Sequence, residues 1–333
     1  MKKLCIFLAL LICLLPLAGC KAKNAYSETY FFMDTVIGVT LYARDASAAD
    51  AAFDACRTIL SNLEGLWSRH TDTSEIARFN RSEQGIEAID ARTFALLQTA
   101  YAVFEATDGA FDPTVAPVID LWELAEARGS LPTDTELLAA LSHVGMQGLD
   151  LREDSIRKTD PSLSLDLGGI GKGAAISELI GYLSLCEGLD GGLVSFGSNV
   201  AVFGSKPSGE VFRIALRDPT DANGTVGVLT LTSGQVLSVS GDYERYVTVN
   251  GEQYHHILDP ESGFPAETGL SSVAVIALDG ALADALSTAL FVMGRDAALA
   301  FYRSKAFRFE AILIDENGTV TLTDGLDGIF LEH

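Results

Sequence analysis

The sequence predicts a mixed fold in which helices dominate the first half and antiparallel hairpins the second. Three observations carry this reading. Apolar residues recur at helical spacing through 46–67, 90–108 and 125–145. From 194 onward, short strand-like runs follow one another, and Asn250-Gly251 marks a tight hairpin. That second half lacks the strand–helix alternation of a parallel sheet.

Taken in order, the chain opens with Lys2-Lys3, an apolar run over 4–17, and Leu17-Ala18-Gly19-Cys20. This is the pattern of a secretion signal, and its last four residues resemble a bacterial lipobox. Cleavage before Cys20 and lipidation of its thiol are expected; an ordinary signal peptide with a chance cysteine is the alternative. The expected division is a signal peptide over 1–19, a lipidated tether over 20–28 and a folded domain over 29–333. Such a protein stands outside the cytoplasmic membrane, held by its acyl chains.

Residues 30–42 read as a strand with a bend at 33–35. A helix follows over 46–67, with Asp45 or Ser47 as its cap. A polar loop containing His70 leads into a short helix over 74–80, and 90–108 is a further helix closing on Gly109. The stretch from Gly109 to Trp122 reads as a loop in which Pro113 holds Asp112 extended. Phe111 and Asp112 there wall a pocket or pack a corner. Residues 125–145 read as helical with a break at 129–132, and 149–158 as a hairpin.

At the centre lies Asp166-Leu-Gly-Gly-Ile-Gly-Lys172-Gly173. A strand-like run over 162–167 precedes it, and helical spacing over 174–185 follows. Strand, glycine turn and helix form a place where backbone N–H groups face an anion, with Lys172 adding charge. A purely structural turn is the competing reading. The P-loop pattern fails at Asp166 and Gly173. A dinucleotide fingerprint fits only formally, at Gly169, Gly171 and Ala174.

Strands are expected at 194–203, 211–217, 225–231, 236–240, 245–249 and 271–277, with two more around Asn317-Gly318. His255 and His256 follow the Asn250-Gly251 hairpin. On a strand they would point to opposite faces, which disfavours a two-histidine zinc site. A catalytic role and a hydrogen-bonded structural role are both open for a histidine here. In the apolar helix expected over 280–293, Asp284 and Thr288 stand at i and i+4, on one face. A buried carboxylate needs a partner. Either a cation binds there, with oxygen ligands favouring Mg²⁺, or local hydrogen bonds near the helix start hold it.

A net charge of −22 argues against nucleic-acid binding, which requires a basic surface. The 48% of hydrophobic residues suffices for a large core, as one large domain or two small ones. Beyond Cys20 the mature chain has Cys56 and Cys186, both in apolar helical patterns. Buried thiols are the default and a single disulfide the alternative.

Seven motifs in order resemble the ApbE family, the FAD:protein FMN transferases. They are Met33-Asp34-Thr35, the Ser74-to-Asn80 segment, Gly109-Ala-Phe-Asp-Pro-Thr114, the glycine stretch over 166–173, Ser240-Gly241-Asp242-Tyr243, His256-Ile-Leu-Asp-Pro260 with Gly263, and Ala283-Asp284 through Thr288. The resemblance implies an α+β fold of the T-fold-like type. It is a single large domain with mixed and antiparallel sheets flanked by helices, and FAD in a cleft. It implies Mg²⁺-dependent transfer of FMN from FAD to a threonine hydroxyl of an acceptor flavoprotein, releasing AMP. It places FAD contacts at Met33, His70, Ala110, Phe111, Asp112, Asp166, Lys172 and Leu258. It further implies metal ligation by the Gly169 carbonyl, Asp284 and Thr288, and catalysis by His256 with Asp284. Two departures stand out: His70 occupies a position where many members carry tyrosine, and Gly197-Ser198-Asn199 lacks a common acidic residue. Competing readings are a Mg²⁺-dependent FAD pyrophosphatase, a non-enzymatic FAD-binding lipoprotein and a Rossmann oxidoreductase.

Overall fold

In the computed structural model, residues 25–332 apart from Ala222 are described. The signal peptide, Cys20 and residues 21–24 of the tether lie outside the described residues. β1 (Ala25–Phe32) and β2 (Thr35–Ala43) pair across a two-residue turn, Met33-Asp34. Residues 25–28, expected in the tether, therefore begin the sheet, and the expected bend is a hairpin. Both turn residues have positive φ, 49° and 53°, the type I′ geometry that suits strand twist. For non-glycine residues this costs roughly 1 kcal/mol or more each.

α1 (Ala46–Trp67) matches its expected bounds, and its cap Asp45 accepts from the Ala48 N–H. α2 (Glu75–Arg81) is capped by Ser74. Each such cap contributes about 1 kcal/mol. β3 (Gly85–Glu87) lies where no strand was expected. α3 (Ala91–Ala106) is capped by Asp90 and followed by a turn through Asp108 and Gly109 at positive φ. α4 (Ala116–Arg128) replaces the second half of the loop expected up to Trp122. Pro117 sits in its first turn, where the missing N–H has no partner to lose. Gly129, with φ 68°, ends α4 at the expected break, and α5 (Asp134–Leu141) follows behind a capping box of Thr133 and Glu136.

β4 (Leu149–Arg152) and β5 (Ser155–Lys158) form the expected hairpin, which β3 joins. Residues 162–167, expected as a strand, belong to no sheet, and Ser162 lies in a turn. Ser164 makes one bridge to Val115, and the Asn80 amide brackets Leu165, accepting at 2.8 Å and donating at 2.9 Å. α6 (Gly171–Leu183) begins inside the glycine stretch. β6 (Leu189–Phe196) and β7 (Asn199–Gly204) divide what read as one strand. Then come β8 (Phe212–Arg217), β9 (Thr225–Leu231), β10 (Val236–Gly241), β11 (Tyr246–Val249) and β12 (Glu252–His255). Asn250 and Gly251, at φ 55° and 86°, make the expected turn between the last two. β13 (Leu270–Ala277), α7 (Gly280–Met293), α8 (Arg295–Ser304), β14 (Glu310–Asp315), β15 (Val320–Leu322) and β16 (Phe330–Glu332) complete the described chain.

The main sheet has the order β1-β2-β6-β7-β10-β13-β14-β15, and its neighbouring strands are all antiparallel. β6, which follows α6, runs antiparallel to both its neighbours, so the glycine stretch opens no parallel βαβ unit and the Rossmann reading falls. Helices α1, α3, α6 and α7 share one core with the near face of this sheet. A second sheet, β16-β9-β8, closes a smaller core on the far face. β13 is buried along its whole length because both cores press on it. A third cluster, around Val118, Trp122, Leu137 and Leu258, joins α4 and α5 to the β11–β12 hairpin.

Candidate active site

The site grows from the place where α6 meets α7. Gly173 and Gly280 let the two helices approach backbone to backbone: a Cβ on Gly173 would stand 2.0 Å from the Gly280 carbonyl oxygen. At that contact the Gly173 N–H donates to Asp284 Oδ2 at 2.8 Å. The anion facing the start of α6 is thus the chain's own Asp284 carboxylate, 4% exposed. The helix dipole and this hydrogen bond explain half of how a charge is tolerated on an apolar helix. Among the described residues no cation pairs with Asp284. Its Oδ1 receives no hydrogen bond from them, and the residue lines a cleft.

Thr288 stands one turn further along α7. Its Oγ1 lies 3.3 Å from Ser240 Oγ, which is also 2.8 Å from Ser287 Oγ, so β10 orients this hydroxyl. Gly169 approaches the same point, since a Cβ built on it would lie 3.5 Å from Thr288 Oγ1 and 3.2 Å from the Phe111 ring. Three oxygen-bearing groups therefore converge with one carboxylate among them. No group of three His, Cys, Asp or Glu side chains suited to a metal occurs among the described residues. A single carboxylate with neutral oxygens fits Mg²⁺, which keeps waters and takes phosphate oxygens, better than it fits zinc.

The glycine loop itself is held from within. Asp166 Oδ1 accepts from the Gly168 N–H at 2.6 Å, and Lys172 Nζ reaches the Gly168 carbonyl. Asp166 Oδ2 pairs with Arg69 at 3.1 Å, and Arg69 also pairs with Asp120 on α4. Sequence reasoning passed over Arg69, although an arginine beside His70 was the available signal.

His256 follows β12. Its N–H and its Nδ1 both lie 3.1 Å from the Arg245 carbonyl oxygen. A carbonyl only accepts, so Nδ1 carries the proton and Nε2 keeps its lone pair. The ring is open to the cleft but surrounded by its walls. Withdrawal from bulk water pulls the imidazole down to about 4, and the Lys172 and Arg245 charges act in the same direction, against the Arg245 carbonyl. His255 packs edge-on against Phe291 at 5.6 Å. The neighbouring histidines therefore have different partners, as their spacing predicts.

Around this centre lies a cleft of about 970 Å³. The sequence-predicted residues Met33, His70, Ala110, Phe111, Asp112, Asp166, Gly169, Lys172, His256, Leu258, Asp284 and Thr288 all line it. Met33 is presented by the β1–β2 turn, and its N–H donates to Glu64 Oε1 at 2.7 Å. Phe111 and Asp112 are wall and corner at once. Asp112 accepts from the Thr114 N–H and hydroxyl at 2.8 and 2.5 Å, and burial pushes its carboxyl up against those bonds. One part of the cleft lining is apolar and aromatic. There Trp122 donates to the Gly263 carbonyl at 2.8 Å and packs 5.1 Å from Tyr254. A second apolar part of the lining lies between the main sheet and β8, along Val200, Ile214, Leu237 and Val239. Glu244, also missed in the sequence, lines the cleft too; burial raises its carboxyl and Lys172 opposes the shift.

Two apolar parts of the lining share the cleft with Asp166, Lys172, Glu244, His256 and Asp284, a mixture that suits a ligand carrying both apolar rings and a charged group. The chain is 30% identical over 327 residues to the "FAD:protein FMN transferase" of Treponema pallidum (strain Nichols), covering 91% of this chain and 90% of that protein. A crystal structure of the ApbE protein from Thermotoga maritima superposes with a TM-score of 0.81 at 30% identity, covering 93% and 100% of the two chains. The apo flavinyl transferase ApbE of Pseudomonas stutzeri gives 0.80 at 30% identity, covering 92% and 97%. Residues 33–313 match the sequence profile of the ApbE family. With most of its length matched and six of the seven motifs contributing residues to one cleft, the chain belongs to the ApbE family.

Proposed function

We propose that this protein transfers FMN from FAD to a threonine hydroxyl of an acceptor flavoprotein and releases AMP. The observation that carries the reading is the gathering of Asp284, Thr288 and Gly169 with His256 and Lys172 in one cleft that also has apolar walls. The Gly169 carbonyl, Asp284 and Thr288 would hold Mg²⁺. A bound Mg²⁺ supplies neutralisation of the charge that builds on the pyrophosphate. Met33, His70, Ala110, Phe111, Asp112, Asp166 and Leu258 would contact FAD, and Lys172 would face its phosphates.

The reaction forms one bond between the threonine oxygen and the FMN phosphorus, and breaks the bond from that phosphorus to the bridging oxygen, which leaves with AMP. The hydroxyl proton passes to His256 Nε2. An imidazole near 4 is a weak base in the free protein; bound phosphate charge raises it toward neutrality, where a general base works best. Asp284 mainly holds the metal. Lys2-Lys3, the apolar run and Leu17-Ala18-Gly19-Cys20 support a lipid anchor at Cys20 and a site of action outside the cytoplasmic membrane.

Nucleotide analysis tests the activity. AMP should accumulate from FAD and Mg²⁺ only when an acceptor is present and in proportion to it. Acceptor-independent AMP and FMN would instead identify a pyrophosphatase, in which water replaces the threonine.

A further inference from the structure

Of the seven motifs, only the Ser74-to-Asn80 segment sends no residue to the cleft. Its residues act from behind the wall. Ser74 caps α2. The Glu75 carboxylate seats that helix on the start of α3, accepting from the Asp90 N–H at 2.8 Å and the Thr93 hydroxyl at 2.6 Å. Phe79 is fully buried, with Lys158 Nζ of β5 5.0 Å from its ring centre. Asn80 reaches out of the helix, accepting from the Leu165 N–H at 2.8 Å and donating to the Leu165 carbonyl at 2.9 Å. Lys158 Nζ donates to the Leu163 carbonyl at 2.8 Å and to the Asn80 carbonyl at 3.3 Å.

These bonds stand in for a strand neighbour. On one side of the segment Ser164 bridges Val115, and the Asp166 N–H donates to the Pro113 carbonyl at 2.8 Å. On the other side Asn80 and Lys158 satisfy backbone groups of Leu165 and Leu163, two buried residues whose polar main chain needs partners. A slip of one residue would turn Asp166 inward and the leucines outward. The loop that follows is locked to this register. Asp166 Oδ1 holds the Gly168 N–H at 2.6 Å, and the Leu167 carbonyl accepts from the Ile170 and Gly171 N–H groups at 3.1 and 2.7 Å. Whatever grips Leu165 therefore also sets where Gly169 stands.

We propose that Asn80, backed by Lys158, is a positioning residue for the metal centre: it fixes the register of Leu163 to Asp166, and so aims the Gly169 carbonyl at the point shared with Asp284 and Thr288. This role rests on the metal-dependent transfer proposed above. Asn80 touches neither metal nor FAD and acts only through the glycine loop.

Titration calorimetry of the FAD-saturated protein with Mg²⁺, without acceptor, tests this, alongside the midpoint of thermal unfolding. Asn80→Leu keeps the size of the side chain and removes both bonds to Leu165. It should weaken Mg²⁺ binding about tenfold or more, the scale on which groups that orient metal ligands act. The Mg²⁺ concentration that half-saturates AMP release with an acceptor should rise by a similar factor. Lys158→Met should weaken Mg²⁺ binding by a smaller factor. Thr323→Val is the control: it removes a buried hydroxyl that accepts from the Ala311 N–H on β14 at 2.9 Å, and should lower the unfolding midpoint without weakening Mg²⁺ binding. A lowered midpoint with wild-type Mg²⁺ affinity in Asn80→Leu would overturn the positioning role and leave the transferase reading intact. If Asn80→Leu does not fold, Lys158→Met decides alone, and unchanged Mg²⁺ affinity there overturns the proposal. FAD-saturated wild-type protein that takes up no Mg²⁺ would remove the metal reading itself, and the role of Asn80 with it.

Discussion

The Gly173 N–H holds Asp284 Oδ2 at 2.8 Å, and this one bond fixes the carboxylate between two helices that touch through their backbones. Because a Cβ on Gly173 would also stand 2.6 Å from Asp284 Cβ, the glycine serves both the helix contact and the carboxylate. Gly173→Ala should cost about 1–3 kcal/mol through overpacking. Thermal unfolding should show a lowered midpoint, and Mg²⁺-dependent turnover should fall further than stability alone explains.

Asp284→Asn keeps an oxygen for the Gly173 N–H but removes the charge. Turnover should drop at least about 100-fold, the scale on which charge-stabilising groups act, while FAD binding without Mg²⁺ persists. Isothermal titration with Mg²⁺ and a steady-state assay together check this. Near-wild-type turnover at saturating Mg²⁺ would remove Asp284 from the metal site.

The pH response follows from the direction of the His256 shift. Its folded value, about 4, is below the usual 6.5, so the neutral, proton-accepting form prevails above about 4 and is lost below it. The acid limb of kcat/KM, which reports the free protein, should therefore lie near pH 4. The limb of kcat should lie higher, because bound phosphate charge raises the imidazole. Stability linked to this group is full above pH about 6.5 and declines as pH falls toward 4, since the unfolded state protonates first. His256→Gln should lower kcat by about 100-fold or more and abolish both effects.

Met33 sits at φ 49°, a conformation glycine adopts freely. Met33→Gly should relieve roughly 1 kcal/mol of backbone strain, offset in part by the flexibility of the unfolded glycine. The midpoint of unfolding should hold or rise, while FAD affinity measured by fluorescence should fall. Equal affinity would show that Met33 makes no useful contact with the ligand.

Much of this architecture is readable from the chain. Periodicity and an Asp45 cap locate α1, and Asn250-Gly251 locates its hairpin, because both signals are local. The hairpin at Met33-Asp34 was not legible as such, since methionine does not favour positive φ and the Glu64 contact from α1 helps hold the turn. α4 was hidden by reading Pro113 and Pro117 as loop residues, although the second marks a helix start. At the site, the motif residues could be named in advance, yet the partner of Asp284 could not. Its bond to Gly173 spans 111 positions and depends on how α6 and α7 cross. Arg69 and Glu244 went unnoticed for a similar reason: their roles come from Asp166, Asp120 and Lys172, which only the fold brings near.

The most direct test of the account is the intact mass of an acceptor flavoprotein after incubation with FAD and Mg²⁺, run in parallel with the wild-type protein and Asp284→Asn, with AMP measured in each sample. The account predicts an acceptor heavier by one FMN and an equal amount of AMP with the wild type, and neither product with Asp284→Asn. An acceptor modified equally by both proteins would contradict it.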